Sequence, residues 1–263
     1  MDTILDRIVA AKTEELREAK IRCPPGSLER GLAAAPPLRD FTAALSSAAA
    51  SHPAIIAEIK RGSPSLGCIR PDLNAAHQAE AYATGGAAAL SVLTDRKFFW
   101  GSDDDFTAAR DSADLPMLRK EFIIDDYQIA ESRVMGCDCI LLIMSILTDR
   151  RAAALADSAH ALGMTVLAET HSREEVRRTL DHVDFDLIGI NNRNLKTFDT
   201  RAETTVDLAA EVPDRSQLIA ESGLHSPEAI RRLWGLEIRR FLIGEALIKS
   251  ATPAATLAAL IRM

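Results

Sequence analysis

Short apolar runs, each closing on or beside a polar side chain, recur along this chain between stretches of helical periodicity. Runs with the character of buried strands fall at 55–60, 88–93, 117–120, 139–143, 165–169, 187–191, 217–221 and 240–244. Between them lie Ala-, Arg- and Glu-rich stretches with helical spacing, such as 149–162 and 172–180. Near-continuous apolar strands alternating with helices are the pattern of a parallel sheet whose faces are covered by helices. Eight such strands, at spacings of roughly 22 to 33 residues, match a closed (β/α)8 barrel of the TIM type. An open doubly wound sheet alternates in the same way. No glycine fingerprint of a dinucleotide site and no P-loop accompanies these strands, so the pattern predicts the barrel.

Residues 1–50 precede the first of these strands and differ from the rest. Ile4, Leu5, Ile8 and Val9 repeat at helical spacing, and a charged run rich in opposite-sign pairs continues through Lys20. Pro24-Pro25-Gly26 breaks this helix, and Pro36-Pro37 separates a short second helical segment from a third at 41–50. The expectation is an N-terminal helical extension that caps one end of the barrel and also helps to cover the active-site mouth. No linker, repeat or low-complexity segment marks off a second domain, so residues 1–263 read as one domain.

Composition narrows the classes. With 47% apolar residues the chain can bury a large core, and a net charge of −7 argues against a general nucleic-acid or anionic-membrane surface. An anionic substrate must then be drawn by local groups. No apolar run is long enough to span a bilayer and no signal-peptide pattern opens the chain, which predicts a soluble, cytoplasmic protein. Cys23, Cys68, Cys137 and Cys139 are too few and too irregular for a disulfide framework and read as reduced structural thiols. The six histidines show no metal-ligand spacing.

The strand ends carry the chemistry. Glu58 and Lys60 alternate with Ile59, so both project from one face of a buried strand, where two charges are costly unless something there uses them. Lys120 ends the third strand on the face of Leu118; among apolar groups such a lysine acts as an acid if it stays protonated and as a base if it does not. Glu169 and Glu221 end otherwise apolar runs, and Thr94 and Asn191 occupy the corresponding ends of two more. In a closed barrel these ends converge on one face, where catalytic groups sit. Gly223 after the seventh strand and Gly244 after the eighth each suit an ordinary turn. Together they suit a phosphate site made by backbone N–H groups and helix N-termini.

Longer motifs carry a specific resemblance. The segment 57–65 (Ala-Glu-Ile-Lys-Arg-Gly-Ser-Pro-Ser), the segments 91–95 and 98–102, and 118–125 resemble indole-3-glycerol phosphate synthases. So do 189–195 (Gly-Ile-Asn-Asn-Arg-Asn-Leu), 220–223 and 242–247, so that the resemblance runs along essentially the whole chain. It implies a tryptophan-pathway carboxy-lyase that closes the indole ring of 1-(2-carboxyphenylamino)-1-deoxyribulose 5-phosphate with loss of carbon dioxide and water. No redox or metal cofactor is implied. By resemblance Lys120 polarises the ketone, Glu169 and Lys60 serve the later proton transfers, and Glu58 orients a lysine or steadies charge on the anilino nitrogen. Asn191 and Glu221 would hold substrate hydroxyls, with Ser222 beside the sugar chain. Ser63, Gly223, Gly244 and Glu245 would hold the phosphate, the last through its N–H with its side chain turned away. Phe99 and Phe122 would wall the aromatic ring. Trp100 and the acidic run Asp103-Asp104-Asp105 lie beside the substrate-covering loop and would tune its mobility. Association with other tryptophan-pathway enzymes is a further implication.

Two other readings compete. Phosphoribosylanthranilate isomerase or the α-subunit of tryptophan synthase would share the barrel and phosphate site, but would not require Glu58 and Lys60 on strand one with Lys120 on strand three. A catalytically silent barrel that binds a phosphorylated metabolite or a partner would have no reason to keep charge at so many strand ends.

Overall fold

The computed structural model describes residues 3–182, 184–194, 199–201 and 203–262. Eight parallel strands close into a barrel: β1 (Ala54–Ile59), β2 (Ala89–Leu93), β3 (Met117–Lys120), β4 (Cys139–Ile143), β5 (Thr165–Thr170), β6 (Leu187–Asn191), β7 (Leu218–Glu221) and β8 (Arg240–Ile243). The last strand pairs with the first, Ala54 opposite Arg240 through Ala57 opposite Ile243, which leaves no free edge. The strands fall where the apolar runs predicted them. Met1, Asp2 and Met263, at the ends of the expected domain, and Leu195 of the asparagine-rich motif lie outside the described residues.

Alternation along each strand divides the core in two. Residues such as Ile55, Leu90, Ile140 and Val166 face the outer helices, while Ile56, Leu118, Leu141, Leu167 and Leu242 fill the barrel. Both sets are fully or almost fully buried, which is why the strands read as continuous apolar runs in sequence. The outer helices start where their sequences supply caps. Ser102, Thr148 and Ser226 each accept a backbone N–H from the first turn of the helix that follows, and Asp125 and Gln128 form a reciprocal capping box.

The N-terminal extension contacts both ends of the barrel. Helix α1 (Ile4–Arg22) brings Leu5 and Ile8 to the top of the barrel core. Helix α2 (Pro25–Leu32) uses Pro25 as its first residue and continues down the side, where Leu28 and Leu16 pack on Tyr127. The Tyr127 hydroxyl donates to the carbonyls of Ala19 and Cys23, tying the end of α1 to the outer helix Asp126–Met135. Helix α3 (Phe41–Ala49) then plugs the floor: Phe41, Leu45 and Ala49 pack against Ala54 and Ala89 at the starts of β1 and β2. A buried Asp138 holds the connecting segment, accepting the backbone N–H of Arg39 and pairing with Arg110.

One element escaped the sequence pattern. After β1 the chain makes a short hairpin, Gly62–Ser63 against Gly67–Cys68, that stands over the barrel mouth. Arg61 at its base pairs with Asp105 at 2.6 Å, and Trp100, in the left-handed region at φ 58°, lies against Gly62. The acidic run therefore has a structural account. Its residues form the first turn of the helix Asp103–Ser112, where carboxylates favour the N-terminal dipole, and Asp103 pairs with Arg119.

Candidate active site

The C-terminal ends of the strands surround a cleft of about 1070 Å³, its open mouth included. Its lining contains Glu58, Lys60, Lys120, Glu169, Asn191 and Glu221 from five strand ends and the residue that follows β1. Ser63, Ser222, Gly223, Gly244 and Glu245 form one side, and Phe99 and Phe122 another. Thr94 is not in this lining. Its hydroxyl donates to Glu121 and accepts from Arg119 within the wall beneath.

The charges of the cleft are paired. Lys60 Nζ lies 2.7 Å from Glu58 Oε1, as alternation on one strand face allows. Lys120 Nζ donates to Glu169 Oε2 at 2.7 Å and stands 3.8 Å from Glu221 Oε2. Burial works against the Lys120 charge, but Glu169, Glu221 and Glu58 outweigh it and raise its pKa above the ordinary lysine value. Of the two behaviours open to a lysine in this position, the structure selects the protonated ammonium. Burial likewise opposes charge on Glu169, and Lys120 and His171 overcome it, holding the carboxyl below its usual range. Glu221 goes the other way: burial and the negative charge on Glu169 push it well above the usual carboxylate range. The two neighbouring carboxyls are thus driven apart, Glu169 toward its ionised form and Glu221 toward its neutral one.

The backbone makes room for this arrangement. A Cβ on Gly189 would lie 2.1 Å from Glu221 Oε1, and one on Gly244 would lie 2.2 Å from Glu58 Oε1. Ser222 and Gly223 both adopt positive φ, 64° and 74°, at the turn after β7. For serine that backbone is strained, and such strain belongs to turns whose shape is dictated by what they face. Glu245 turns its side chain onto Arg193 at 3.0 Å and Lys249 at 2.7 Å. Its carboxylate is thus neutralised by two cations.

Arg193 in the cleft, and His171 and Lys12 beside it, were not singled out from sequence. Arg193 sits inside the asparagine-rich motif; it reaches Ser65 Oγ at 2.8 Å as well as Glu245, on the same side as Gly223 and Gly244. His171 lies two residues beyond Glu169, so strand alternation alone would have put it on the same face. Ile4, Leu5 and Ile8 of α1 line the cleft, and the Phe99 and Phe122 rings beside them are 5.9 Å apart. Behind that wall Lys12 of α1 is buried against Asp95 at 3.2 Å and Glu121 at 3.0 Å. Asp95 caps the short helix that carries Phe99, and Glu121 accepts the N–H of Phe122.

A family model described as indole-3-glycerol phosphate synthase matches residues 5–260. The chain belongs to the indole-3-glycerol phosphate synthase family. Relatives bearing that name include one from Laribacter hongkongensis, 45% identical over 260 residues and 98% of each chain, and one from Polaromonas naphthalenivorans, 46% identical over 261 residues and 99% of each chain. Solved structures of similar shape include thiamine phosphate pyrophosphorylase from Pyrococcus furiosus, with TM-score 0.59 and 12% identity over 84% of this chain and 96% of that one. Another is N-acetylmannosamine-6-phosphate 2-epimerase from Clostridium perfringens, with TM-score 0.57 and 17% identity over 74% and 86%. At such identities these two speak for the barrel alone. The described helices include none long and apolar enough to cross a membrane, and the described residues hold no cluster of three or more metal-ligating side chains.

Proposed function

We propose that the cleft converts 1-(2-carboxyphenylamino)-1-deoxyribulose 5-phosphate to indole-3-glycerol phosphate, with the roles divided as follows. Family membership makes the chain a carboxy-lyase of tryptophan biosynthesis. The observation that carries the residue assignment is the Lys120–Glu169 pair, a buried ammonium and a buried carboxylate 2.7 Å apart at the centre of the cleft. Lys120 gives its proton to the ketone oxygen as the ring carbon that bears the carboxylate attacks the ketone carbon. Carbon dioxide then leaves and its bonding electrons restore the aromatic ring. In the last step the C–O bond breaks and the hydroxyl departs as water with a proton from Lys60. The C–H bond beside nitrogen breaks in the same step, its electron pair forming the new double bond and its proton passing to Glu169. Two protons are supplied and one is recovered; the net proton replaces the carboxylate lost as carbon dioxide.

The remaining residues hold the substrate. Glu58 orients Lys60 and faces the anilino nitrogen, while Asn191, the protonated Glu221 and Ser222 take the sugar hydroxyls. Backbone N–H groups around Ser63, Gly223, Gly244 and Glu245 receive the phosphate, with Arg193 as a nearby cation. Phe99 and Phe122, with α1 above them, wall the aromatic ring. This reading treats residues 1–263 as one domain in which the extension 1–50 is part of the site. Four unpaired thiols support a reducing, cytoplasmic setting. Association with other pathway enzymes is proposed on the family resemblance alone.

Separating the steps tests the assignment. Glu169→Gln should release carbon dioxide while forming indole at least about a hundredfold more slowly, the ordinary worth of a general base. Turnover and a pH profile equal to those of the unsubstituted protein would remove Glu169 from its role.

A further inference from the structure

His171 takes no part in the chemistry assigned above, yet its ring is held between two carboxylates at the edge of the site. Its side chain is only 11% exposed; Nε2 lies 3.3 Å from Glu169 Oε1 and Nδ1 lies 3.4 Å from Glu175 Oε2. Both distances lie within ion-pair reach of a protonated ring. Glu175 is itself fixed, because its carboxylate accepts the His171 backbone N–H at 2.7 Å. Glu169 binds Lys120 through its other oxygen. The result is a row of alternating charge, Glu175, His171, Glu169, Lys120, running from the helix Arg173–His182 into the cleft. Beyond Lys120 stand Glu221 from β7 and Glu58 from β1. Burial works against a positive ring, but Glu169 and Glu175 outweigh it and push the imidazole up to about 9.

The reaction explains what such a cation is for. Once Lys120 has given its proton to the ketone oxygen, Glu169 has lost its nearest positive charge. A buried carboxylate left in that state favours its neutral form and is occupied by a proton before the dehydration step calls on it. A second, fixed cation on the opposite oxygen keeps it ionised.

We propose that His171 is a positioning residue, an imidazolium that holds Glu169 ionised and oriented while Lys120 is neutral. The proposal deepens the assignment of Glu169 as proton acceptor and rests on it. His171 neither gives nor receives a proton in the cycle. Glu169 takes the carbon-bound proton as the indole double bond forms and returns it to Lys120 across their 2.7 Å contact.

The test joins a titration to a kinetic profile. Nuclear magnetic resonance of the His171 ring in the unsubstituted protein should show it positively charged at neutral pH, with its titration well above the free value near 6.5, and should show that titration fall by about a unit or more in Glu169→Gln. His171→Asn keeps a polar side chain of similar length and loses the charge. It should lower kcat by about tenfold or more, leave KM within about twofold, and move the acid limb of the kcat profile up by about one pH unit. A ring that titrates near 6.5, or a His171→Asn profile superimposable on that of the unsubstituted protein, overturns the proposal. Should His171→Asn fail to fold, Glu175→Gln serves: it should lower the ring titration and move the same limb by a smaller step, and no movement in either overturns the proposal. The ring titration needs no substrate. A fully active Glu169→Gln therefore refutes the assignment of the base without touching the measured charge on His171.

Discussion

A glycine and a histidine show how single positions set the charge pattern of the cleft. Gly189 exists as glycine because Glu221 occupies the space a Cβ would need. Gly189→Ala should therefore displace the Glu221 carboxyl, cost about 1–3 kcal/mol in denaturant unfolding, and raise KM if Glu221 holds substrate as proposed. Wild-type stability together with wild-type KM would contradict the packing. His171 makes a pH-dependent contribution whose sign follows from its raised folded pKa. The contribution is fully present below its unfolded value of 6.5 and is lost as pH rises through about 9. Urea unfolding should show the unsubstituted protein more stable than His171→Asn at pH 6, with the gap closing by pH 10. A gap that widens with pH would reverse the sign and contradict the ion pairing. Most of the charged lining of the cleft was legible in the strand ends, because acids and bases closing apolar runs are costly wherever nothing uses them. His171 was legible only through alternation with Glu169, since its second partner, Glu175, comes from the next helix.

At the scale of elements, the extension supplies part of the cleft lining. Its first helix contributes Ile4, Leu5 and Ile8 to the cleft and is pinned there by Lys12, whose ammonium lies among Glu15, Asp95 and Glu121. Lys12→Met would leave Asp95 and Glu121, both buried, without that cation. Loss of one partner from a buried ion pair costs about 3–5 kcal/mol, and here it also loosens the two segments that carry Phe99 and Phe122. Lys12→Met should thus lower the unfolding midpoint and raise KM more than it lowers kcat. Removal of residues 1–40 should do the same more strongly. Unchanged kinetics in a folded truncation would reduce α1 to a cover. The helical character of α1 was evident from the spacing of Ile4, Leu5, Ile8 and Val9. The role of Lys12 was not, because a lysine in a charged helical run reads as solvent-facing until residues some eighty and more positions away close over it. The hairpin after β1 escaped for a related reason: its two-residue strands are too short to show any period.

The whole molecule resolves a conflict of charge. A chain of net charge −7 must hold a substrate that carries both a carboxylate and a phosphate. The cleft gathers Lys60, Lys120 and Arg193, each held beside a carboxylate, and in the proposed reading these local cations meet the substrate's anionic groups. Barrel closure makes this possible, since it brings side chains from β1, β3, β5, β6 and β7 to one face. Ring closure at this face and mere binding of a phosphorylated ligand there predict opposite outcomes. The most direct measurement is the ultraviolet absorbance and fluorescence of purified protein mixed with 1-(2-carboxyphenylamino)-1-deoxyribulose 5-phosphate, run beside Lys120→Met. Indole product from the unsubstituted protein, and a loss of at least about a hundredfold in a folded Lys120→Met, is the predicted result. Substrate binding without product, or a Lys120→Met variant active within about tenfold, would contradict it.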